Sequence, residues 1–346
     1  MEADEKLFEI WNEFDFDIDP INSKTEEEIF LKDKNYTPNF EYQKQELKEF
    51  QKKLKSIKPN NSWLGKLIKQ RIKEFLIKIE MLSNKKNKNF TQHSINLFGK
   101  PDKKLLEKAY RELKLKDELE VKNLSDKDAK KIINRALSEN NLDNWKIKIR
   151  EDMSAQAKVD TATKIIYIKE GERFSTAGIE RLIVHELQTH AFRMENSQKQ
   201  KYKLFQVGFP DYLETEEGLA AFNEEQAGYL MHNKLRRLYA GRVIAVDLAL
   251  KMGFLDVFTE LTKYFSEQDA WNLTLRVKRG LSDISKPGAF TKDCLYFSGK
   301  IKIEQFLKKH GKLEDLYIGR IGIKHIRPLK ERNGIEPASW LPKYNQ

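Results

Sequence analysis

The sequence predicts an α+β fold that is predominantly helical, with a small mixed sheet beside one amphipathic helix. Apolar residues recur at helical spacing through most of the first 140 residues, and they do so again after residue 216. Between these regions, alternating and β-branched residues indicate a few short strands. The order of helices, a small sheet, one helix and further helices is typical of the α+β class.

The first helices are predicted from apolar spacing and from its interruptions. Residues 47–57 and 64–79 each carry apolar side chains three or four positions apart, and a Pro-Asn-Asn sequence separates them. This pattern predicts a helical hairpin. Residues 101–115 predict another helix, and Ser125 with Asp128 resembles a capping box that opens the next one.

Two strands are predicted in the middle of the chain. Trp145, Ile147 and Ile149 alternate with charged residues, and residues 165–168 form a β-like run after a turn. Ser175 can cap the amphipathic helix that follows. Because residues 165–168 precede this helix immediately, we expect their strand to keep a free edge beside the functional site, where an extended peptide pairs with it.

Helical patterns continue to the end of the chain, with breaks at Gly253 and near Pro287. We expect residues 1–100 to form an N-terminal helical region that packs on a catalytic domain of residues 101–346.

The composition excludes several classes of protein. With 39% hydrophobic residues, 20 Phe and 5 Trp among 346 residues, the chain is too apolar to be disordered. Its one cysteine excludes a disulfide scaffold and indicates a reducing compartment. No run of about 18 apolar residues predicts a membrane span, and the acidic residues 1–9 do not resemble a signal peptide. We therefore expect a soluble, cytoplasmic protein.

The basic charge balance is weak evidence about partners. A net charge of +11 attracts any polyanion. Lysines on solvated helix faces also account for this charge, and no recognised nucleic-acid motif accompanies it. We therefore do not expect a nucleic-acid partner.

One hexapeptide carries the strongest chemical signal. The chain has six histidines, and two of them lie in the sequence His185-Glu186-Leu187-Gln188-Thr189-His190. Imidazole nitrogen is a good zinc ligand, and a catalytic zinc takes three protein ligands and leaves one position for water. Glu186, next to the first histidine, would then be the general base that activates this water. The alternative is that both histidines are ordinary polar residues on a surface helix, and we expect His93, His232, His310 and His325 to be structural or surface residues.

The spacing of the two histidines is unusual. Residues at i and i+5 are about 140° apart around an ideal α-helix, so their side chains would point to different places. We expect either a one-residue π-bulge or a helix end just before His190.

A candidate third ligand follows about thirty residues later, in the segment that begins at Thr215. Thr215 can cap a helix whose first turn holds Glu216 and Glu217. Gly218 and Ala220 allow a second backbone to approach closely. The alternative is that the helix dipole alone favours two acids at this place.

Together the two segments resemble a known family, the metallopeptidases related to the eukaryotic microtubule-associated tyrosine carboxypeptidases. Bacterial relatives are often labelled by a Gln-Glu-Gly-Leu-Ala motif, where this chain has Glu216 in place of the Gln. Glycine is usual in the family where this chain has Gln188. The resemblance also includes the segments at residues 35–42, 276–280, 289–293, 296 and 299.

The resemblance implies a function and a set of site residues. It implies that His185, His190 and Glu217 bind one Zn²⁺ per chain and that Glu186 is the catalytic base. It further implies removal of the C-terminal residue of a polypeptide, with tyrosine preferred in the eukaryotic branch.

A carboxypeptidase needs cations for the terminal carboxylate of its substrate. Arg276 and Arg279 lie three residues apart in a predicted helix, and Lys292 follows a Pro-Gly turn. These three residues are the candidate substrate-binding residues. Tyr296 is a candidate donor to the oxyanion of the transition state. The alternative for each cation is a solvated basic helix face.

Two other functions stay open. A zinc endopeptidase or amidase would use the same site but would not recognise a free C-terminus. A non-catalytic protein would keep the site to bind an acidic partner, such as an acidic tail, on its basic surface.

Overall fold

The structure, a computed structural model, describes residues 2–14, 17–83, 89–116, 120–151, 153–228 and 232–343, with the backbone alone for His232. The helices are α1 (Glu2–Glu13), α2 (Ser23–Lys32), α3 (Leu47–Ser56), α4 (Trp63–Ser83), α5 (Asn89–Phe98), α6 (Lys103–Glu112), α7 (Asp126–Glu139), α8 (Thr176–Leu182), a π-helix (Ile183–Ala191), α9 (Phe192–Lys199), α10 (Leu204–Val207), α11 (Tyr212–Gln226), α12 (His232–Ala249), α13 (Phe254–Thr262), α14 (Glu267–Lys278), α15 (Cys294–Lys308), a 3₁₀ helix (Leu313–Tyr317) and α16 (Ile323–Lys330). The strands are β1 (Leu124–Ser125), β2 (Lys146–Arg150), β3 (Ala157–Asp160), β4 (Ile165–Lys169) and β5 (Arg173–Phe174). This arrangement confirms the predicted fold class, α+β with helices dominant.

The main sheet has three strands in the order β2-β4-β3. β4 pairs parallel with β2 and antiparallel with β3, so the sheet is mixed as predicted. β4 is therefore the central strand, and Ile166 and Ile168 in it are fully buried. The expectation that this strand keeps a free edge for a peptide was wrong. The reason is β3, a four-residue strand that the sequence analysis did not predict.

The predicted local signals are present in the helical parts. α3 and α4 form the expected hairpin around the break after residue 57. The Ser125 side chain accepts the backbone N–H of Asp128, and the Asp128 carboxylate accepts the backbone N–H of Ser125. The capping box of α7 is therefore confirmed. Ser175 caps α8 by accepting the backbone N–H of Gly178 at 2.9 Å.

The hydrophobic core joins the N-terminal helices to the rest of the chain. One cluster of buried side chains includes Leu7 and Ile68 together with Phe205 and Leu329. At the surface of this cluster, the carboxylate of Asp4 accepts the backbone N–H groups of residues 203 and 204 at 2.7 and 2.8 Å. A division at residue 100 stays a prediction.

α11 and α15 pack with their backbones in close contact. A Cβ atom on Gly218 would overlap the backbone of Gly299, and a Cβ atom on Gly299 would overlap the carbonyl oxygen of Glu214. Glycine at both positions therefore sets the distance between the two helices. This contact confirms that Gly218 admits a second backbone, and it holds α15 beside the acidic residues of α11.

In the part of the chain that the structure describes, no helix combines the length and the apolar character needed to cross a lipid bilayer.

Candidate active site

The two histidines of the hexapeptide lie in a π-helix inside a longer helical segment. Helix continues without a break from Thr176 to Lys199, and its middle part, Ile183–Ala191, has π-helical hydrogen bonding. A π-helix bonds residues five positions apart, so residues i and i+5 lie one turn apart on the same face. The rings of His185 and His190 are accordingly close, with 5.0 Å between their centroids. Of the two predicted distortions, the structure has the π-helical one.

The π-helix forms although residue 188 is glutamine and not glycine. The backbone of Gln188 has no positive φ, and its carbonyl accepts a hydrogen bond from the Tyr317 hydroxyl at 2.9 Å. Thr189 adds a bond from its hydroxyl to the carbonyl of Val184, five residues earlier, at 2.9 Å. Side-chain and tertiary bonds thus support the wide turn, and a glycine is not needed for it.

Glu217 faces the two histidines from α11. Its Oε2 lies 4.0 Å from Nε2 of His185 and 3.9 Å from Nε2 of His190. α11 begins one turn earlier than predicted, at Tyr212, with Asp211 as its N-cap residue in the left-handed conformation. Thr215 therefore does not cap the helix. Its hydroxyl instead accepts the backbone N–H of Ile323 at 3.1 Å.

The donor atoms around the histidines fit a zinc ion. One nitrogen of each histidine and one carboxylate oxygen of Glu186 lie within 4.8 Å of one another, and all three side chains are buried. Glu217 supplies a second buried carboxylate at nearly equal distances from both Nε2 atoms. Zinc takes nitrogen and carboxylate oxygen ligands at about 2.0–2.2 Å, so ligand atoms around one ion are about 3.4 Å apart. The two distances from Glu217 Oε2 to the histidine Nε2 atoms, 4.0 and 3.9 Å, exceed this spacing by about half an ångström.

The outer nitrogen of each histidine is held by a different glutamate of α11. Nδ1 of His190 lies 2.9 Å from Oε1 of Glu216, and Nδ1 of His185 lies 2.9 Å from Oε1 of Glu224. Arg193 also forms an ion pair with Glu216. Both Nε2 atoms are therefore left facing Glu217.

Buried charge pairs shift the pKa values of these groups. Burial raises the pKa of Glu216, but the charges of Arg193 and His190 outweigh burial and lower it to about 2. Burial likewise opposes the ionised form of Glu224, whose pKa the charges of His185 and Arg181 lower to about 2. Burial lowers the pKa of His190, and the hydrogen bond and charge of Glu216 reverse this and raise it.

Tyr296 of α15 lies against the histidines. Its ring stacks on that of His185, with 6.2 Å between the centroids, and on that of Tyr239, with 5.6 Å. The guanidinium carbon of Arg242 lies 4.2 Å from the ring centroid of Tyr296 and 5.0 Å from the ring centroid of Tyr239. Burial raises the pKa of the Tyr296 hydroxyl, so it stays a hydrogen-bond donor at neutral pH.

The structure brings one of the three predicted substrate-binding cations directly to the site. Nζ of Lys292 lies 2.9 Å from Oε1 of Glu217, and its side chain is 27% exposed. Arg276 forms a buried ion pair with Asp293, in which Nη2 lies 3.0 Å from Oδ1. Arg279 lies beyond the last residue of α14 and forms an ion pair with Asp19. Neither arginine is on the solvated helix face of the alternative interpretation, because both are buried.

The remaining histidines lie apart from this cluster. His325 is buried, and its Nδ1 accepts the backbone N–H of Gly322 at 3.0 Å. His93 lies 4.0 Å from Glu80, and His310 has a positive φ at a helix end. The side chain of His232 is outside the described part of the structure. The three described histidines agree with the structural roles predicted for them.

A groove of about 1370 Å³ lies between α5, α6, α15 and α16, and it is separate from this cluster. Its lining includes Lys78 and Leu295 but none of the candidate ligands, Glu186, Lys292 or Tyr296. The candidate metal-binding and acid–base groups lie together at the histidine cluster, which is therefore the candidate active site.

Comparison with known proteins shows which family the chain belongs to. A family model described as "Microtubule-associated tyrosine carboxypeptidase" matches residues 27–346, which is nearly the whole chain. The chain belongs to this family. Membership in the microtubule-associated tyrosine carboxypeptidase family confirms the resemblance on which the site residues were chosen.

Curated relatives from this family are similar over parts of the chain. The human protein named "Microtubule-associated tyrosine carboxypeptidase 1" is 30% identical over 182 residues, which are 49% of this chain and 36% of the relative. The rat protein of the same name is 30% identical over 177 residues, which are 48% of this chain and 36% of the relative. The matched part thus spans about a third of these relatives' length.

The sequence analysis of this family member missed Glu224, Tyr239 and Arg181. Glu224 is the next carboxylate after Glu217 at a spacing of seven residues, which is two helical turns and returns to the same face. This spacing was a usable signal. Tyr239 and Arg181 carried none, because they reach Glu224 from other helices.

Proposed function

We propose that this protein is a zinc-dependent carboxypeptidase that removes the C-terminal residue of a peptide or protein. The observation that carries the proposal is the buried triangle of His185 Nε2, His190 Nε2 and Glu217 Oε2 beside the carboxylate of Glu186. The names of the relatives, tyrosine carboxypeptidases, extend the proposal to a C-terminal tyrosine as the preferred residue.

In this proposal, His185, His190 and Glu217 hold the metal. Each histidine offers Nε2, because its Nδ1 is engaged by a glutamate. When bound, Zn²⁺ would polarise the carbonyl of the scissile bond and lower the pKa of a water molecule.

Glu186 is the proposed general base. It is adjacent to His185 on the π-helix, and its carboxylate lies within 4.8 Å of nitrogens of both histidines. From this position it can take a proton from the attacking water and deliver it to the nitrogen of the leaving residue. The proton balance is then complete, because water supplies a hydroxyl to the carbonyl carbon and a proton to the amine.

Lys292 and Tyr296 are the proposed substrate-binding groups. Lys292 is partly exposed next to Glu217, so its ammonium group can donate hydrogen bonds to the terminal carboxylate of a substrate that reaches the site. The Tyr296 hydroxyl can donate to the oxygen that gains negative charge. Arg276 would support this recognition by holding Asp293, the neighbour of Lys292, and Arg279 would support it through the segment that contains Asp19.

The proposal is tested with peptides of varied C-terminal residues, each prepared as a free acid and as an amide. Products are identified by mass spectrometry after incubation with zinc-loaded protein. We expect loss of one residue from the free acids and little cleavage of the amides. The His185→Ala, His190→Ala double variant is the control, and it should have lost both stoichiometric zinc and activity.

Other outcomes favour the alternatives. Equal cleavage of free acids and amides at one bond would indicate an endopeptidase. Zinc binding without cleavage of any peptide would favour a binding protein for an acidic partner.

A further inference from the structure

We infer that Glu224 is a positioning residue that fixes both His185 and Tyr296 for the reaction. This inference rests on the proposed function. Glu224 is fully buried, and its two oxygens are occupied by three donors, two from the continuous helical segment of α8 and the π-helix and one from α12. Oε1 lies 2.9 Å from Nδ1 of His185 and 2.9 Å from Nη1 of Arg181, and Oε2 accepts the hydroxyl of Tyr239.

The first consequence concerns the tautomer of His185. A carboxylate only accepts hydrogen bonds, so the proton of the neutral imidazole must reside on Nδ1. Nε2 then has its lone pair, and it is the nitrogen that faces Glu217 and the second histidine. A hydrogen-bonded carboxylate behind a ligating histidine fixes the ring and makes the other nitrogen a better ligand.

The second consequence concerns Tyr296. The Tyr239 ring, held by its hydroxyl on Glu224, stacks almost parallel on Tyr296, at an angle of 14°. Tyr296 stacks in turn on His185 at 24°. Arg242 lies over both tyrosine rings. Glu224 therefore restrains a metal ligand directly and the candidate oxyanion donor through one intervening ring.

Arg181 explains how the carboxylate stays charged without solvent. Its side chain is 20% exposed and pairs with Glu224, which is itself 0% exposed. The guanidinium also contacts Oε1 of Gln156 through Nη2 at 3.3 Å. The ion pair supplies the counter-charge that a buried carboxylate requires.

The test compares Glu224→Gln with Glu225→Gln as the matched control. Glu225 is the next residue of α11 and forms an ion pair with Lys300, away from the histidines. Zinc affinity is measured by competition with a chelator, and the cobalt-substituted proteins are compared by their visible spectra. We expect Glu224→Gln to bind zinc about 10- to 100-fold more weakly, with an altered cobalt spectrum, and Glu225→Gln to match the parent in both.

A purely structural role gives a different result. In that case Glu224→Gln would lower the melting temperature of the metal-free protein while the folded fraction bound zinc as tightly as the parent. Unchanged zinc affinity and an unchanged cobalt spectrum would overturn the inference. If the parent itself binds no zinc, the proposed function fails instead, so the two failures are distinguishable.

A measurement on the unaltered protein covers the case in which Glu224→Gln does not fold. Two-bond ¹H–¹⁵N spectra of zinc-loaded protein with labelled histidine report which ring nitrogen carries the proton. We expect the proton on Nδ1 of His185 and the metal on Nε2. Metal on Nδ1 would contradict the inference, because Glu224 could not then hold that atom.

Discussion

Glu186 and Glu217 both place carboxylates beside the two histidines, but the structure gives them different surroundings. Glu217 is nearly equidistant from both Nε2 atoms and is paired with Lys292. Burial opposes its ionisation, and the charges of Lys292 and of the two histidines overcome burial and keep its pKa well below the usual range. A carboxylate held ionised in this way suits a ligand, which leaves Glu186 for proton transfer.

Glu186→Gln separates these two roles. The variant should retain stoichiometric zinc, because the three proposed ligands are intact, and it should lose at least about a hundredfold in kcat, which is the usual contribution of a general base. Elemental analysis and peptide kinetics check both results. The control is Glu180→Gln in α8, outside the candidate cluster, which should behave like the parent. Loss of zinc together with activity would indicate that Glu186 is itself a ligand.

In the proposed function, Lys292 binds the carboxylate of the substrate next to the proposed ligand Glu217. Lys292→Ala should lower kcat/KM for free-acid peptides by about tenfold to a hundredfold, because a charge-assisted hydrogen bond contributes about 1.5–3 kcal/mol. Zinc should stay bound. Amidation of the peptide should cause a similar loss in the parent.

The same prediction includes a double-mutant cycle. Amidated peptide and Lys292→Ala remove the same contact, so combining them should cost little more than either alone. Additive losses would show that Lys292 does not bind the terminal carboxylate. Arg276 and Arg279 would then need to be tested in the same cycle.

At the scale of elements, one distortion and one contact build the site. The π-helix turns His185 and His190 to the same face, and the close approach of α11 and α15 brings Tyr296 to the same place as Glu217. The π-helical distortion depends on hydrogen bonds between residues five positions apart. The contact between α11 and α15 depends on glycine at positions 218 and 299.

Gly218→Ala should therefore destabilise the protein. The added methyl group would overlap the backbone of Gly299, and neither helix backbone can yield as a flexible side chain would. Overpacking of this kind costs about 1–3 kcal/mol in unfolding free energy, measured by urea denaturation of the metal-free protein. Zinc affinity should also fall, since Glu217 is the adjacent residue.

Gly178→Ala in α8 is the matched control for this prediction. A Cβ there would meet only side-chain oxygens of Glu120 and Ser175, both at 3.1 Å. Alanine favours a helix over glycine, so the unfolding free energy should change by less than about 1 kcal/mol. Equal stability of the Gly218→Ala variant and the parent would show that the two helices do not need their close contact.

Over the whole molecule, the N-terminal segment is tied to the second half of the chain by buried polar contacts. Asp19 pairs with Arg279 at 2.5 Å and accepts the Ser154 hydroxyl at 2.6 Å. The hydroxyl of Tyr42 accepts the backbone N–H of Gly280 at 2.6 Å. These contacts join three distant parts of the sequence at the end of α14.

The Asp19 ion pair predicts a pH dependence of stability. Burial raises the pKa of Asp19, but Arg279 and Lys158 outweigh burial and lower it from 3.8 to about 2. The folded state therefore favours the ionised carboxylate more strongly than the unfolded state does. The contribution of Asp19 to the free energy of unfolding is complete above about pH 4. That contribution is lost as the pH falls from about 4 through about 2, and it amounts to about 2 kcal/mol.

The prediction is checked by measuring the free energy of unfolding of Asp19→Asn and of the parent as a function of pH. The variant should be less stable than the parent at neutral pH, where it leaves Arg279 buried without its counter-charge, and the difference should shrink between about pH 4 and pH 2. The exposed Asp143→Asn is the control and should follow the parent. A difference that is constant with pH would show that the ion pair is not the cause.

The sequence by itself determined the fold class and several of the helices, and it supplied the candidate residues of the site. Apolar spacing and capping residues act over one or two turns, so α3, α4, α7 and α8 followed from local physics. The resemblance carried by the two motifs implied His185, His190 and Glu217 as a ligand set, and these residue types are ones that zinc takes.

The tertiary structure decided the pairings. It placed β3 beside β4 and so closed the edge that the sequence analysis left open. It paired Arg276 with Asp293 of the next helix boundary, paired Arg279 with the distant Asp19, and left Lys292 partly exposed at the site. Ion pairs and strand order depend on which distant segments meet, and a local pattern contains no information about that meeting.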